Sequence, residues 1–181
     1  MLPRARTEGS RLLELQGFHR QISVFRLEAD DWQTARDVRL SALTDSAAAF
    51  LGDEAAERGY NENQWRAELD VHVWFVARLD DKAVGLAKLN RSPDQSDGIH
   101  LEAMWVAPDV RRRGVGEVLV SALEATAASL GAQVLRLWVF TENRSARDFY
   151  LRLGYRGPLH PQKIEVNGRF RIEEEFEKRL G

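Results

Sequence analysis

The chain has 181 residues, 44% of them hydrophobic and 30% charged, with a net charge of −2 and a pI of about 6.1. That length suits one domain, which on folding buries about 70% of the surface of its unfolded chain. A near-neutral balance offers no global field to nucleic acid or an anionic membrane. The absence of cysteine excludes disulfides, thiolate nucleophiles and cysteine-bound zinc. Four histidines, His19, His72, His100 and His160, have no helical i,i+4 spacing, so no metal is expected. No apolar run reaches the roughly 18–20 residues of a membrane span. The opening "MLPRARTEGSRLLELQGFHRQ" lacks the apolar block and cleavage site of a secretory signal, and a cytoplasmic protein is expected.

In chain order, residues 1–20 read as an extension and residues 21–181 as one domain. "ISVFRL" (Ile22–Leu27) is β-rich and reads as a strand. Asp30 or Asp31 can cap the helix that follows, in which Trp32, Ala35, Val38 or Arg39, and Ala42 recur at helical spacing. Thr44 to Tyr60 is a long, small-residue, acidic segment, and "NENQWRAELD" is a second helix capped by Asn61. "VHVWFVARL", "AVGLAKLN" and "IHLEAMWVAP" are three strands joined by the turn "DDK" and the loop "RSPDQSDG", a pattern that suggests an antiparallel meander.

"GVGEVLVSALEATAASLG" is an amphipathic helix with the stripe Val115, Leu119, Ala122, Leu123, Ala127 and Leu130, ended by Gly131. "AQVLRLWVF" is a buried strand, "NRSARDFYLRLG" a short helix, and Asn167-Gly168 turns a closing hairpin. The order β-α-α-β-β-β-α-β-α-β-β describes an α/β fold with a single mixed, mostly antiparallel central sheet flanked by helices.

The junction "VAPDVRRRGVG" (Val106–Gly116) carries chemistry. The first N–H groups of a helix have no internal partner and, with the helix dipole, attract an anion. Glycines let the backbone approach oxygens closely, and arginines add charge to the rim. The spacing is not that of a P-loop, because no lysine or hydroxyl follows Gly116. It is not a dinucleotide fingerprint either, because residue 119 is leucine. From spacing alone, an anion site and a solvated helix cap with incidental charge fit equally.

The stretch "LEAMWVAPDVRRRGVGEVLVSALE" resembles the acyl-CoA-binding motif of the GNAT superfamily of N-acetyltransferases, [RQ]-x-x-G-x-[GA], met by Arg111, Gly114 and Gly116. A second stretch, "NRSARDFYLRLGY", resembles the family pattern after the fifth strand, met by Asn143, Ala146, Phe149, Tyr150, Gly154 and Tyr155. Taken as a helix, Ala146, Phe149, Tyr150 and Leu153 are a core stripe and Asn143 an ordinary cap.

The resemblance implies an acetyl-CoA-dependent N-acetyltransferase of that fold, acting on a primary amine of a small molecule, peptide or protein. It implies that the loop Arg111, Arg112, Arg113, Gly114, Val115 and Gly116 holds the CoA pyrophosphate. A bulged strand would offer backbone groups of Met104, Trp105 and Val106 to the pantetheine and acetyl carbonyl, and Asn143, Ala146, Phe149 and Tyr150 would complete the cofactor site. No metal, nucleic acid or membrane partner is implied, and a homodimer is compatible with it. A non-catalytic acyl-CoA-binding or sensing domain is the alternative reading.

In such chemistry a neutral amine attacks the thioester directly. An alkyl amine has a pKa near ~10 and must lose a proton, while the departing thiolate, pKa about 8.5, gains from a donor. Tyr150 suits the donor. Glu102 is the first choice for the base, with a pKa expected to be raised by partial burial; a strand carboxylate facing solvent or paired with a lysine is the other reading of that residue. His100, on the same side by period two, is the runner-up, ahead of His72 and His160. Asp45, Asp53, Glu54 and Glu57 of the acidic segment favour a cationic acceptor or are simply a solvated acidic loop.

Overall fold

The computed structural model describes residues 22–90, 98–166 and 168–181. The 1–20 extension with His19, the loop of residues 91–97 and Asn167 of the closing turn lie outside the described residues.

Strand β1 (Ile22–Leu27) leads through a 3-10 turn into α1 (Trp32–Ser46). The expected aspartate cap is replaced by a box centred on Glu28: the Asp31 carboxylate accepts from the Glu28 N–H at 2.9 Å. The acidic segment is more ordered than its composition implies. Its first residues extend α1 to Ser46, Ala47–Ala49 form a 3-10 turn, and Asp53 caps a five-residue α2 (Glu54–Arg58) by accepting from Ala55 N and Ala56 N. α3 (Glu62–Val71) begins in a reciprocal box in which Asn61 and Gln64 bond each other's backbone N–H, so the expected cap is present.

Strands β2 (Val73–Leu79), β3 (Lys82–Asn90) and β4 (His100–Val106) form the expected antiparallel meander, with β1 added against β2. α4 (Val115–Ser129) crosses over to β5 (Val134–Phe140), α5 (Arg144–Arg152) follows, and β6 (Pro161–Val166) and β7 (Arg169–Arg179) close the chain. The seven-stranded order is β1-β2-β3-β4-β5-β7-β6, antiparallel except between β4 and β5. Of the expected α4 stripe, all members are buried except Leu130, which caps the helix and is 44% exposed. Val118 and Val120 are buried as well, because α4 packs over the middle of the sheet and buries a wider face than one stripe. No helix among the described residues is long and apolar enough to cross a membrane.

Side chains alternate across the sheet, and ion pairs identify the faces. Lys178 of β7 binds Glu124 of α4 at 2.8 Å and Glu174 meets Arg147 of α5 at 3.2 Å, so α4 and α5 share one face. The Trp105 indole donates to Asp45 of α1 at 2.9 Å across the other face.

Two irregularities interrupt the sheet at its centre. The described pairing of β4 with β5 is confined to His100 opposite Arg136, after which the strands diverge. On its other side β4 bulges. Lys88 pairs with Glu102 and Leu86 with Trp105, leaving Ala103 and Met104 together opposite Ala87, with Ala103 at φ 52°.

Candidate active site

β4 ends at Val106, and Pro108–Val110 form a 3-10 turn. Arg112 then adopts φ 61° and Gly114 φ 85°, and α4 begins at Val115. Gly114 takes the left-handed backbone at little cost and brings no side chain to cap the helix. The first helical bond runs from Val118 N to Gly114 O at 3.1 Å. The N–H groups of Val115, Gly116 and Glu117 are therefore available to an outside acceptor at the positive end of the helix.

The three arginines do not act alike. Arg112 and Arg113 are exposed, without a salt bridge among the described residues. Arg111 donates from Nε to the Val106 carbonyl at 2.8 Å and from Nη2 to Asp45 at 2.5 Å. Its guanidinium is engaged within the protein, and so is the Val106 carbonyl expected to face the pantetheine.

The loop and the bulge meet in one notch. A Cβ built on Gly116 would lie 3.0 Å from the Phe149 ring and 3.2 Å from the Met104 methyl, so α4, α5 and β4 converge there. Asn143 caps α5 by accepting from Ala146 N at 3.2 Å. Ala146, Phe149 and Leu153 pack half-buried against the core, while Tyr150 is buried. The Tyr150 ring meets Phe149 and Tyr155 edge-on, with centroids at 5.2 and 5.4 Å. Burial raises its phenol pKa well above the ordinary range, so the hydroxyl stays protonated at neutral pH.

The other face carries the carboxylates. Glu102 pairs with Lys88 at 3.0 Å and accepts from Asn90 Nδ2 at 2.8 Å. Burial pushes its carboxyl up, but the Lys88 charge, the Asn90 hydrogen bond and the nearby His72 outweigh that and hold it below the usual range. The expected raised pKa is thereby corrected: the register that sets Glu102 on β4 also sets a lysine opposite it. His100 shares this face but is only 4% exposed. His72 ends α3 close to Glu102, and His160 is exposed at the entry to β6.

The sequence profile of the acetyltransferase (GNAT) family matches residues 32–155, which include the bulged strand, the arginine–glycine loop and α5. The chain belongs to that family. An uncharacterized N-acetyltransferase of Methanocaldococcus jannaschii is 29% identical over 96 residues, 51% of this chain and 42% of its own length. The peptidyl-lysine N-acetyltransferase YjaB of Salmonella typhimurium is 28% identical over 110 residues, 56% of this chain and 68% of its own. The matches thus span between two fifths and two thirds of these curated relatives. The structure of yncA from Salmonella typhimurium, solved with its cofactor acetyl-CoA, superposes with a TM-score of 0.69 over 88% of this chain and 94% of that one, at 16% identity.

In this GNAT chain the acidic segment is not an open cluster of carboxylates. Asp53 caps α2, and Glu57 forms a bidentate pair with the buried Arg39 at 2.8 Å. Glu54 binds Arg58 and Thr44, and Asp45 binds Trp105 and Arg111. Intramolecular partners claim all four, so the acidity of the segment no longer argues for a cationic acceptor. Acidic groups that sequence reasoning passed over lie on β7. Glu173 and Glu175 are buried and alternate onto the face that carries Glu102. Arg136 offsets Glu175 at 3.3 Å, while Glu173 has a Gln162 amide at 2.6 Å and a pKa raised by burial. Lys88 and Asn90 were missed too; their signal was the period-two alternation of β3.

Proposed function

We propose that this GNAT protein is an acetyl-CoA-dependent N-acetyltransferase that moves acetyl directly to a primary amine of a small molecule, peptide or protein. The observation that carries the reading is the convergence at one notch of the uncapped start of α4 at Gly116, the bulge of β4 at Met104 and α5 at Phe149, with β4 diverging from β5 beside it.

When bound, acetyl-CoA supplies the activated acetyl thioester. The amides of Val115 and Gly116, with Arg112 and Arg113 at the rim, hold the pyrophosphate, and Asn143, Ala146 and Phe149 line the cofactor's side of the notch. Backbone groups of Met104, Trp105 and Val106 face the acyl arm, the Val106 carbonyl excepted. Tyr150 supplies a proton to the departing sulfur. Glu102 receives the proton that the amine nitrogen sheds as its bond to the acetyl carbon forms. An ionised carboxylate of lowered pKa is a weak base toward a free ammonium but a competent acceptor from nitrogen already attacking carbon.

The peptidyl-lysine acceptor named for the YjaB relative supports including protein amines. The reading includes a cytoplasmic location. The test is thiol release from acetyl-CoA with a panel of amines and lysine peptides, for which a cysteine-free chain contributes no background. Saturable, amine-dependent release is expected. Coenzyme A binding without release from any amine would leave only an acyl-CoA-binding domain.

A further inference from the structure

Asp45, the penultimate residue of α1, sits at a junction that the reaction as described does not use. Three donors converge on its Oδ2: the Trp105 indole at 2.9 Å, the Arg111 guanidinium at 2.5 Å and the Ser46 hydroxyl at 2.6 Å. The first two come from different elements, Trp105 from β4 and Arg111 from the loop before α4. Trp105 is the first residue paired with β3 after the bulge and is buried, so its indole N–H needs a partner. Arg111 opens the loop that leads into α4, and its Nε is fixed on the Val106 carbonyl, the last of β4. Hydrogen bonds from Ser46, Trp105 and Arg111, with the Arg111 charge, hold the Asp45 carboxyl below the usual range, so it is ionised at neutral pH.

We propose that Asp45 is a positioning residue that ties helix α1 to both sides of the acyl-CoA notch, and that its link to Arg111 shapes the loop for the pyrophosphate. The inference rests on the acetyl-CoA reading above. The free loop must hold two residues in left-handed backbone, Arg112 at φ 61° and Gly114 at φ 85°. Only Gly114 does so at little cost. A loop of that kind binds an anion well when it is held in shape beforehand, because less ordering is then charged against binding. With Arg111 clamped between Asp45 and the Val106 carbonyl, the loop is fixed on the side where β4 ends. The direct positive charge toward the ligand falls to Arg112 and Arg113. α1 leads into the α2 segment, so the same carboxylate connects that segment to the cofactor loop.

The experiment is calorimetric titration of coenzyme A into the native chain, Asp45→Asn, Arg111→Gln and the double variant, with steady-state kinetics alongside. Each single change should raise the Kd and the acetyl-CoA KM by about 5- to 50-fold, in the range of ordinary site-to-site coupling. kcat at saturating acetyl-CoA should stay within about twofold of native. Asp45→Asn keeps an amide oxygen for the Trp105 indole and loses the charge that holds Arg111, so the double variant should be no weaker than Arg111→Gln alone. Asp45 is partly exposed, so apo melting should move little. Arg111→Gln breaks the link from the outer side and keeps the test valid should Asp45→Asn misfold. A Kd for Asp45→Asn within twofold of native, multiplying effects in the double variant, or a fall in kcat at unchanged KM would each overturn the proposal. Absence of coenzyme A binding by the native chain would overturn the acetyl-CoA reading first and this inference with it.

Discussion

Glu102 and Lys88 form one ion pair that can be broken from either end, and the two breaks separate catalysis from structure. Their charged atoms lie 3.0 Å apart, with side chains 35% and 15% exposed. Glu102→Gln keeps the shape and the Asn90 contact but leaves the better-buried ammonium without a counter-charge. A charged hydrogen bond is worth about 1.5–3 kcal/mol when shielded, and solvent at the partly exposed Glu102 reduces that to about 1–2 kcal/mol, so melting should fall by roughly 2–8 °C for a chain of this size. If Glu102 takes the amine's proton, kcat at neutral pH should drop by about 10²–10⁴-fold. Lys88→Met removes the pair from the other side and should cost similar stability, yet it relieves the chief influence lowering the Glu102 pKa. It strengthens the base and should leave kcat near native or above it. The linkage also has a defined sign. A carboxyl whose folded pKa lies below its unfolded value contributes stability above the ordinary carboxylate range. That contribution is lost as pH falls through the folded pKa. Native melting should therefore fall more steeply with acid than that of Glu102→Gln. Melting scans from pH 3 to 7 and pH–rate profiles of the three proteins make the comparison. Equal losses of kcat in both variants, or a Glu102→Gln enzyme within twofold of native, would refute the assignment and leave Glu102 as the counter-ion of Lys88.

Coenzyme A at 100 times its Kd should stabilise the native chain by about 2.7 kcal/mol, seen as a melting shift of roughly 5–11 °C; no shift at saturation would count against the whole acyl-CoA reading. Tyr150→Phe retains the edge-on contacts to Phe149 and Tyr155, so it should lower kcat by about 10–1000-fold with coenzyme A affinity preserved. Turnover within twofold of native would remove Tyr150 from the mechanism. In Gly116→Ala, the new methyl would press on the Phe149 ring and the Met104 methyl, while helix propensity improves by about 1 kcal/mol. Apo melting should change little and the coenzyme A shift should shrink, and differential scanning of both forms reads the two effects separately.

What could be read from the chain alone was local. Caps and apolar periods are written within a few consecutive residues: Asn61 with Gln64 at the start of α3, Asn143 ahead of α5, and the α4 stripe from Val115 to Ala127. The element order followed from these, and the arginine–glycine loop followed from the point where a strand signal runs into a helix signal. The electrostatics of the site needed the tertiary structure. Glu102 finds Asn90 across 12 residues of sequence, and Asp45 finds Trp105 and Arg111 across 60 and 66. Strand register, the bulge at Ala103 and Met104, and the packing of α1 on the sheet decide those meetings. A shift of one residue in β3 against β4 would turn Lys88 to the opposite face from Glu102 and restore the raised pKa that burial alone predicts. The chain therefore announces a strand–loop–helix junction through local pattern, while the charge state of its carboxylates is set by which distant side chains the folded sheet brings opposite them.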